Sequence, residues 1–132
     1  MKGLSMRRTS ESCSVEVKFD GDVVTVVVRG YLWRGEVEDI VALVDQLFKR
    51  GRRFFVVDMK RLKYLHYRDV PHLMDLQYRI GVDGGEVKFT GITPFLLKVL
   101  QLGGIDFSFP IYPSRREALR SITKELSFVG MR

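Results

Sequence analysis

In FFVVDMKRLKYLHYRDVPHLMDLQYRI, Phe54 to Ile80, two hydrophobic periodicities meet. Phe54-Phe55-Val56-Val57 is a short run of aromatic and β-branched residues, too brief for a helix, and predicts a buried strand ending near Met59. The polar segment from Asp58 to Arg68 reads as a loop. Val70, Leu73, Met74, Gln77 and Ile80 then recur at spacings of three and four, which predicts an amphipathic helix. Asp69 is placed to accept hydrogen bonds from the first backbone N–H groups, and Pro71 fits the first turn, where its missing N–H costs nothing. A buried strand, a loop and a helix make half of a βαβ unit. In parallel sheets binding sites collect on such loops, so Leu65 to Asp69 is the first candidate site.

Working outward, Val15, Val17 and Phe19 alternate with charged residues, Asp20-Gly21 signals a tight turn, and VVTVVVR (Val23–Arg29) returns as a second strand. Residues 1–13 are polar and without periodicity and predict a mobile tail; residues 14–132 form the domain. GYLWRG (Gly30–Gly35) is a loop before a helix with acids in its first turn, Lys49 and Arg50 in its last, and Gly51 beyond its end. EVKFTG (Glu86–Gly91) is a further strand, and Thr93-Pro94 starts a helix with Leu96, Leu97, Val99 and Leu100 on its buried face. Phe107–Tyr112 is a last strand, set at an edge by Pro110. Ser114 to Glu117 is a capping box opening a helix through Ala118, Leu119, Ile122 and Leu126. The expected fold is a single α/β domain: a mixed, mostly parallel sheet of about five strands, with about four helices chiefly on one face.

The totals exclude several function classes. No apolar run approaches the ~20 residues of a membrane span, and the basic N-terminus lacks the apolar core of a secretory signal, so a cytoplasmic location is expected. The single cysteine, Cys13, excludes an intramolecular disulfide and a thiolate-rich metal site. The net charge of +6 is spread along the chain among acids, without the basic and aromatic pattern of an RNA-binding sheet, so nucleic acid is not an expected partner. His66, Tyr67 and Asp69 lack a neighbouring nucleophile elbow. His66 and His72, six residues apart, would point to different sides of one helix, which argues against a shared metal. No glycine pair carries the Gly-Lys-Ser/Thr ending of a phosphate loop. No catalytic residue, cofactor or metal is implied. Asp58 reads most simply as a residue satisfying loop N–H groups.

Four segments recur in the order and spacing of a known family: VVVRGYL (Val26–Leu32), FVVDM (Phe55–Met59), VLQLGGI (Val99–Ile105) and YPSRREAL (Tyr112–Leu119). Over roughly Val15 to Leu126 the chain resembles the STAS domain of bacterial anti-sigma factor antagonists. The resemblance implies a non-enzymatic module that binds an anti-sigma factor or related regulatory protein through the loops at the carboxyl ends of the strands. In that family an Asp-Ser-Ser-Gly at the start of the second helix is phosphorylated on its first serine by the partner kinase. Counted from Asp58, it falls on His66, Tyr67, Arg68 and Asp69, so Tyr67 stands at the acceptor position; no serine or threonine lies between Asp58 and Ile80. The phosphoserine switch is therefore expected to be missing, with Thr90 or Thr93 as the alternative acceptors. Where relatives usually carry Asp after Gly-x-Leu, this chain has Trp33. Trp33, His66, Tyr67, Arg68, Asp69 and Thr93 are the expected partner-binding residues. For Trp33 a fold-back that caps the core is an equal alternative. A small nucleotide-binding domain is the competing functional class.

Overall fold

The computed structural model describes residues 5–9, 12–33 and 35–130, with side chains for 12–33 and 35–122. Six strands, β1 (Ser5–Thr9), β2 (Cys13–Asp20), β3 (Val23–Leu32), β4 (Phe54–Leu65), β5 (Glu86–Thr90) and β6 (Ile111–Tyr112), lie side by side in sequence order. The β1–β2 and β2–β3 pairs are antiparallel and the other three are parallel, so the expected mixed, mostly parallel sheet is present. The added strand is β1, in the segment expected to be a tail. SMRRT has no apolar alternation to announce it; it is held as an edge strand by backbone pairing to β2.

Helices α1 (Glu36–Lys49), α2 (Val70–Val82) and α3 (Pro94–Leu102) connect the parallel strands, and α4 (Arg115–Gly130) follows the last. Three successive crossovers step in the same direction along the sheet, so crossovers of one hand lay their helices on one face. There Ile40 and Val44 of α1, Leu73 and Leu76 of α2, and Leu96 and Leu100 of α3 pack on Val24, Val26, Phe55, Val57 and Phe89. Phe55 and Phe89 are wholly buried, each burial contributing roughly 1.5 to 3 kcal/mol. The opposite face is covered by α4, whose Ala118 and Ile122 meet Val23 and Val56. Leu126, expected on that buried face, lies outside the residues whose side chains are described.

Local expectations hold at several ends. Gly51 follows α1 at φ +99°, a conformation that suits glycine. Ser114 Oγ accepts the Glu117 N–H at 3.2 Å, the first half of the predicted capping box. Phe107–Phe109 does not join the last strand. Asp106 Oδ1 instead accepts the backbone N–H of Ser108 at 2.9 Å, making a turn that drops Phe109 onto Phe89, ring centroids 4.6 Å apart.

Charge largely serves the scaffold. Arg79 of α2 gives Nη1 and Nη2 to the two oxygens of Asp45 on α1, at 3.0 and 3.2 Å, and Nε to Asp75 at 2.7 Å. Its hydrogen bonds to the carboxylates of Asp45 and then Asp75 hold its pKa above the ordinary arginine value. Arg52 stacks on Phe19 and donates to the Gly21 carbonyl, and Arg53 stacks on Phe54 and donates to that of Gly84. These cations serve turns at the amino end of β4 rather than forming a stripe for a polyanion.

Candidate protein-binding site

The principal departure from expectation is the length of β4. The segment after Met59, read as a loop, continues as strand to Leu65, pairing with β3 as far as Leu32↔Leu65. Its mixed pattern hid it, because β5 pairs with β4 only to Asp58↔Thr90 and the extension is covered on fewer sides. The register slips twice, between Val27 and Arg29 and between Gly30 and Tyr31, each time with an extra residue on β4. Such bulges bend a strand and re-aim its side chains. Gly30 makes the bend possible: at φ +92° its α-carbon lies so close to Ser12 that a β-carbon would sit 2.3 Å from the Ser12 oxygen. That same oxygen accepts the Tyr31 N–H at 2.8 Å and fixes the start of the extension.

On this extension four aromatic rings form a continuous ladder. Tyr31 stacks on Trp33 with centroids 5.5 Å apart, Trp33 meets Tyr64 at 5.7 Å, and Tyr64 meets Phe95 of α3 at 6.4 Å. Trp33 is 56% exposed and Phe95 49%, so of the two readings of Trp33 the fold-back into the core does not occur. Glu36, at the start of α1, holds the ladder's first strand: Oε1 accepts the Trp33 N–H at 2.9 Å and Oε2 the Ser12 hydroxyl at 2.8 Å.

One residue beyond Leu65 the chain turns into the helix. His66, not Asp69, is the capping residue: its Nδ1 accepts the Arg68 N–H at 3.0 Å, which places the ring proton on Nε2. Residues Tyr67–Asp69 form one 3₁₀ turn leading into α2, and the Asp69 carboxylate makes no cap hydrogen bond. The intervening turn displaces Asp69 from the position where its side chain would reach the helix N–H groups. The His66 and Tyr67 rings stack at 4.7 Å, with the Arg68 guanidinium 5.9 Å from the Tyr67 centroid. Asp58 serves as expected, its Oδ1 accepting the Lys60 N–H at 3.0 Å.

Because β3 and β4 are parallel, Trp33 and the His66–Asp69 turn emerge at the same end of the sheet. Thr93 belongs to the start of α3, where its Oγ1 caps the helix by accepting the Leu96 N–H at 3.2 Å. Thr90, expected on the rim as an alternative phosphoacceptor, is instead the buried last residue of β5, 1% exposed. Tyr31, Tyr64 and Phe95 lie outside the expected set. A signal for them exists: Tyr31 and Trp33 share a strand face at spacing two, and Phe95 falls off the Leu96–Val99–Leu100 stripe of its helix.

Among the described residues no cluster of histidine, cysteine and carboxylate side chains could hold a metal ion, and no helix is long and apolar enough to cross a membrane. The site offers ring faces, the hydroxyls of Tyr31, Tyr64 and Tyr67, and the Arg68 guanidinium, groups that are common in binding hot spots.

No curated protein matches the sequence. Solved structures match its fold. An anti-sigma factor antagonist from Mycobacterium paratuberculosis superposes with a TM-score of 0.73 at 19% identity, over 87% of this chain and 97% of that one. A single-site variant of Moorella thermoacetica RsbS gives 0.72 at 16% identity over 86% and 97%. The anti-sigma factor antagonist SpoIIAA in its unphosphorylated form gives 0.65 at 16% identity over 92% and 97%. The family model described as "Mlab, STAS domain" matches residues 15–110, which run from within β2 to Pro110 and hold three of the four resembling segments whole. The chain is a member of the STAS domain family.

Proposed function

We propose that this STAS domain is a non-enzymatic interaction module, similar in role to an anti-sigma factor antagonist, that binds an anti-sigma factor or related regulatory protein. The observation that carries the reading is the exposed ladder Tyr31–Trp33–Tyr64–Phe95, with the separate His66–Tyr67–Arg68 stack at the same end of the sheet. Large rings left in water beside arginine are what binding hot spots are made of, and a scaffold that fixes them beforehand lowers the entropic cost of association. Around them stand Lys60, Arg61 and Lys63, all exposed, which favour an acidic rim on the partner. Trp33, His66, Tyr67, Arg68, Asp69 and Thr93 remain the contact residues of this reading, with Tyr31, Tyr64 and Phe95 added.

The phosphoserine switch has no acceptor in this reading. Tyr67 stands at the start of α2 where a serine is needed, and its phenol oxygen lies several ångströms farther from the backbone than a serine oxygen. The protein thus stays in its binding-competent form or answers to another signal. The test is a pull-down from the organism's own extract with the wild-type chain and with Trp33→Ala/Tyr64→Ala. Retention of a regulatory protein by the wild type and its loss from the variant supports the reading. Equal retention by both removes the ladder as the interface.

A further inference from the structure

On the α4 side of the sheet's carboxyl end lies a cavity of about 450 Å³, walled by Asp58, Lys60, Thr90, Gly91, Thr93 and Arg115. Its volume is in the range of small-molecule sites. Thr90 is 1% exposed, and its Oγ1 is buried with no hydrogen-bond partner among the described residues. Buried hydroxyls are nearly always paired, so an unpaired one in a cavity wall marks a group waiting for a ligand atom.

The rest of the wall selects the sign of that ligand. The first turns of α3 and α4 both face the cavity through their capping residues Thr93 and Ser114, and helix N-termini favour anions. Lys60 and Arg115 bring two cations against one carboxylate, Asp58, whose Oδ1 is already occupied by the Lys60 N–H. Arg115 is laid across the sheet by a long contact from Nη2 to Thr25 Oγ1, 3.4 Å. Gly91, at φ +74°, lets the chain leaving β5 lie against β4 at the cavity wall: a β-carbon there would stand 2.4 Å from the Lys60 backbone nitrogen and 2.9 Å from Asp58 Oδ1.

We infer that this cavity binds a phosphoryl oxyanion, either free phosphate or the phosphate of a small phosphomonoester. The Thr90 hydroxyl donates to one oxygen, and Lys60 and Arg115 supply the countercharge. The inference needs no protein partner and the ladder rings take no part in it; Lys60 and Thr93 of the cavity wall also border the docking surface, whereas Thr90 and Arg115 belong to the cavity alone.

The test is a titration of the uniformly ¹⁵N-labelled full chain with inorganic phosphate, glycerol 1-phosphate and adenosine 5′-monophosphate in turn, at constant ionic strength. Saturable amide shifts at Gly91, Thr93 and Arg115 are expected, with affinity about tenfold weaker in Thr90→Val and in Arg115→Met, the cost of one hydrogen bond to a charged group. Thr90→Val keeps the side-chain shape and Arg115 is exposed, so the fold survives at least one of the two changes. Equal affinity for all three probes assigns the site to free phosphate; tighter binding of an ester assigns it to that class. Shifts that do not saturate, that map elsewhere, or that both variants leave unchanged would overturn the inference.

Discussion

Gly103, just past α3, presses against Val70 at the start of α2 so closely that a β-carbon at position 103 would lie 2.2 Å from Val70 Cβ and 2.5 and 2.7 Å from its two methyl carbons. The backbone φ there is −79°, open to any residue, so glycine is required by space alone. This contact seats the start of α2, and with it the Tyr67 turn, on the end of the helix that carries Phe95. Gly103→Ala is expected to destabilise the protein by about 2 kcal/mol through overpacking. Urea denaturation of Gly103→Ala, Val70→Ala and the double variant measures it. Val70→Ala removes the two methyl carbons but keeps the β-carbon 2.2 Å away, so the double variant is expected to recover only part of the Gly103→Ala loss.

A second expectation concerns alkaline pH. Lys88 sits half-buried on the α4 face of the sheet, where burial lowers its pKa and the hydrogen bond and charge of Glu86, 2.8 Å away, raise it; the net displacement is upward. A lysine whose folded pKa exceeds its unfolded one contributes stability that is fully present below about 10.5, the unfolded value, and lost as pH rises through the higher folded value. The urea midpoint of the wild type should therefore fall above that pH more steeply than that of Lys88→Met/Glu86→Gln. Parallel profiles would show that the pair contributes nothing.

Strands and helices are legible where one face of an element is buried and the other wet. Val15–Phe19, α1 and Glu86–Thr90 announce themselves by period. The second half of β4 does not. Leu62 and Leu65 are buried while Lys60, Arg61 and Lys63 between and before them are exposed, and two bulges shift the alternation out of phase. Reading that segment as loop separates Tyr64 from Trp33, and the ladder cannot be assembled. The cap escapes sequence reading for a related reason: a 3₁₀ turn inserted before α2 moves the capping role from Asp69 to His66, and no residue pattern distinguishes the two. Trp33 and the Tyr67 turn, by contrast, stand out from composition alone, because large aromatic residues sit there in polar, glycine-flanked or charged sequence.

The proposed loss of the phosphoserine switch has its own measurement. Incubated with ATP and an anti-sigma-type serine kinase, the chain should show no added mass by intact-mass spectrometry, because Tyr67 offers no hydroxyl at serine reach and Thr90 is buried. A phosphate mapped to Tyr67 would contradict this. One mapped to Thr93 would place the switch at the cap of α3, where the added charge competes with the Leu96 hydrogen bond.

The docking role of the ladder is tested most directly by the dissociation constants of the purified partner for the wild type, Trp33→Ala and Tyr78→Ala. Tyr78 is a fair control: a ring 68% exposed, farther along α2 and outside the ladder. Truncating Trp33 at the centre of the contact should weaken binding by about 30-fold, the scale of a hot-spot residue, while Tyr78→Ala stays within about twofold of the wild type. A Trp33→Ala chain that binds as tightly as the wild type, or a Tyr78→Ala chain that loses as much, would contradict the account.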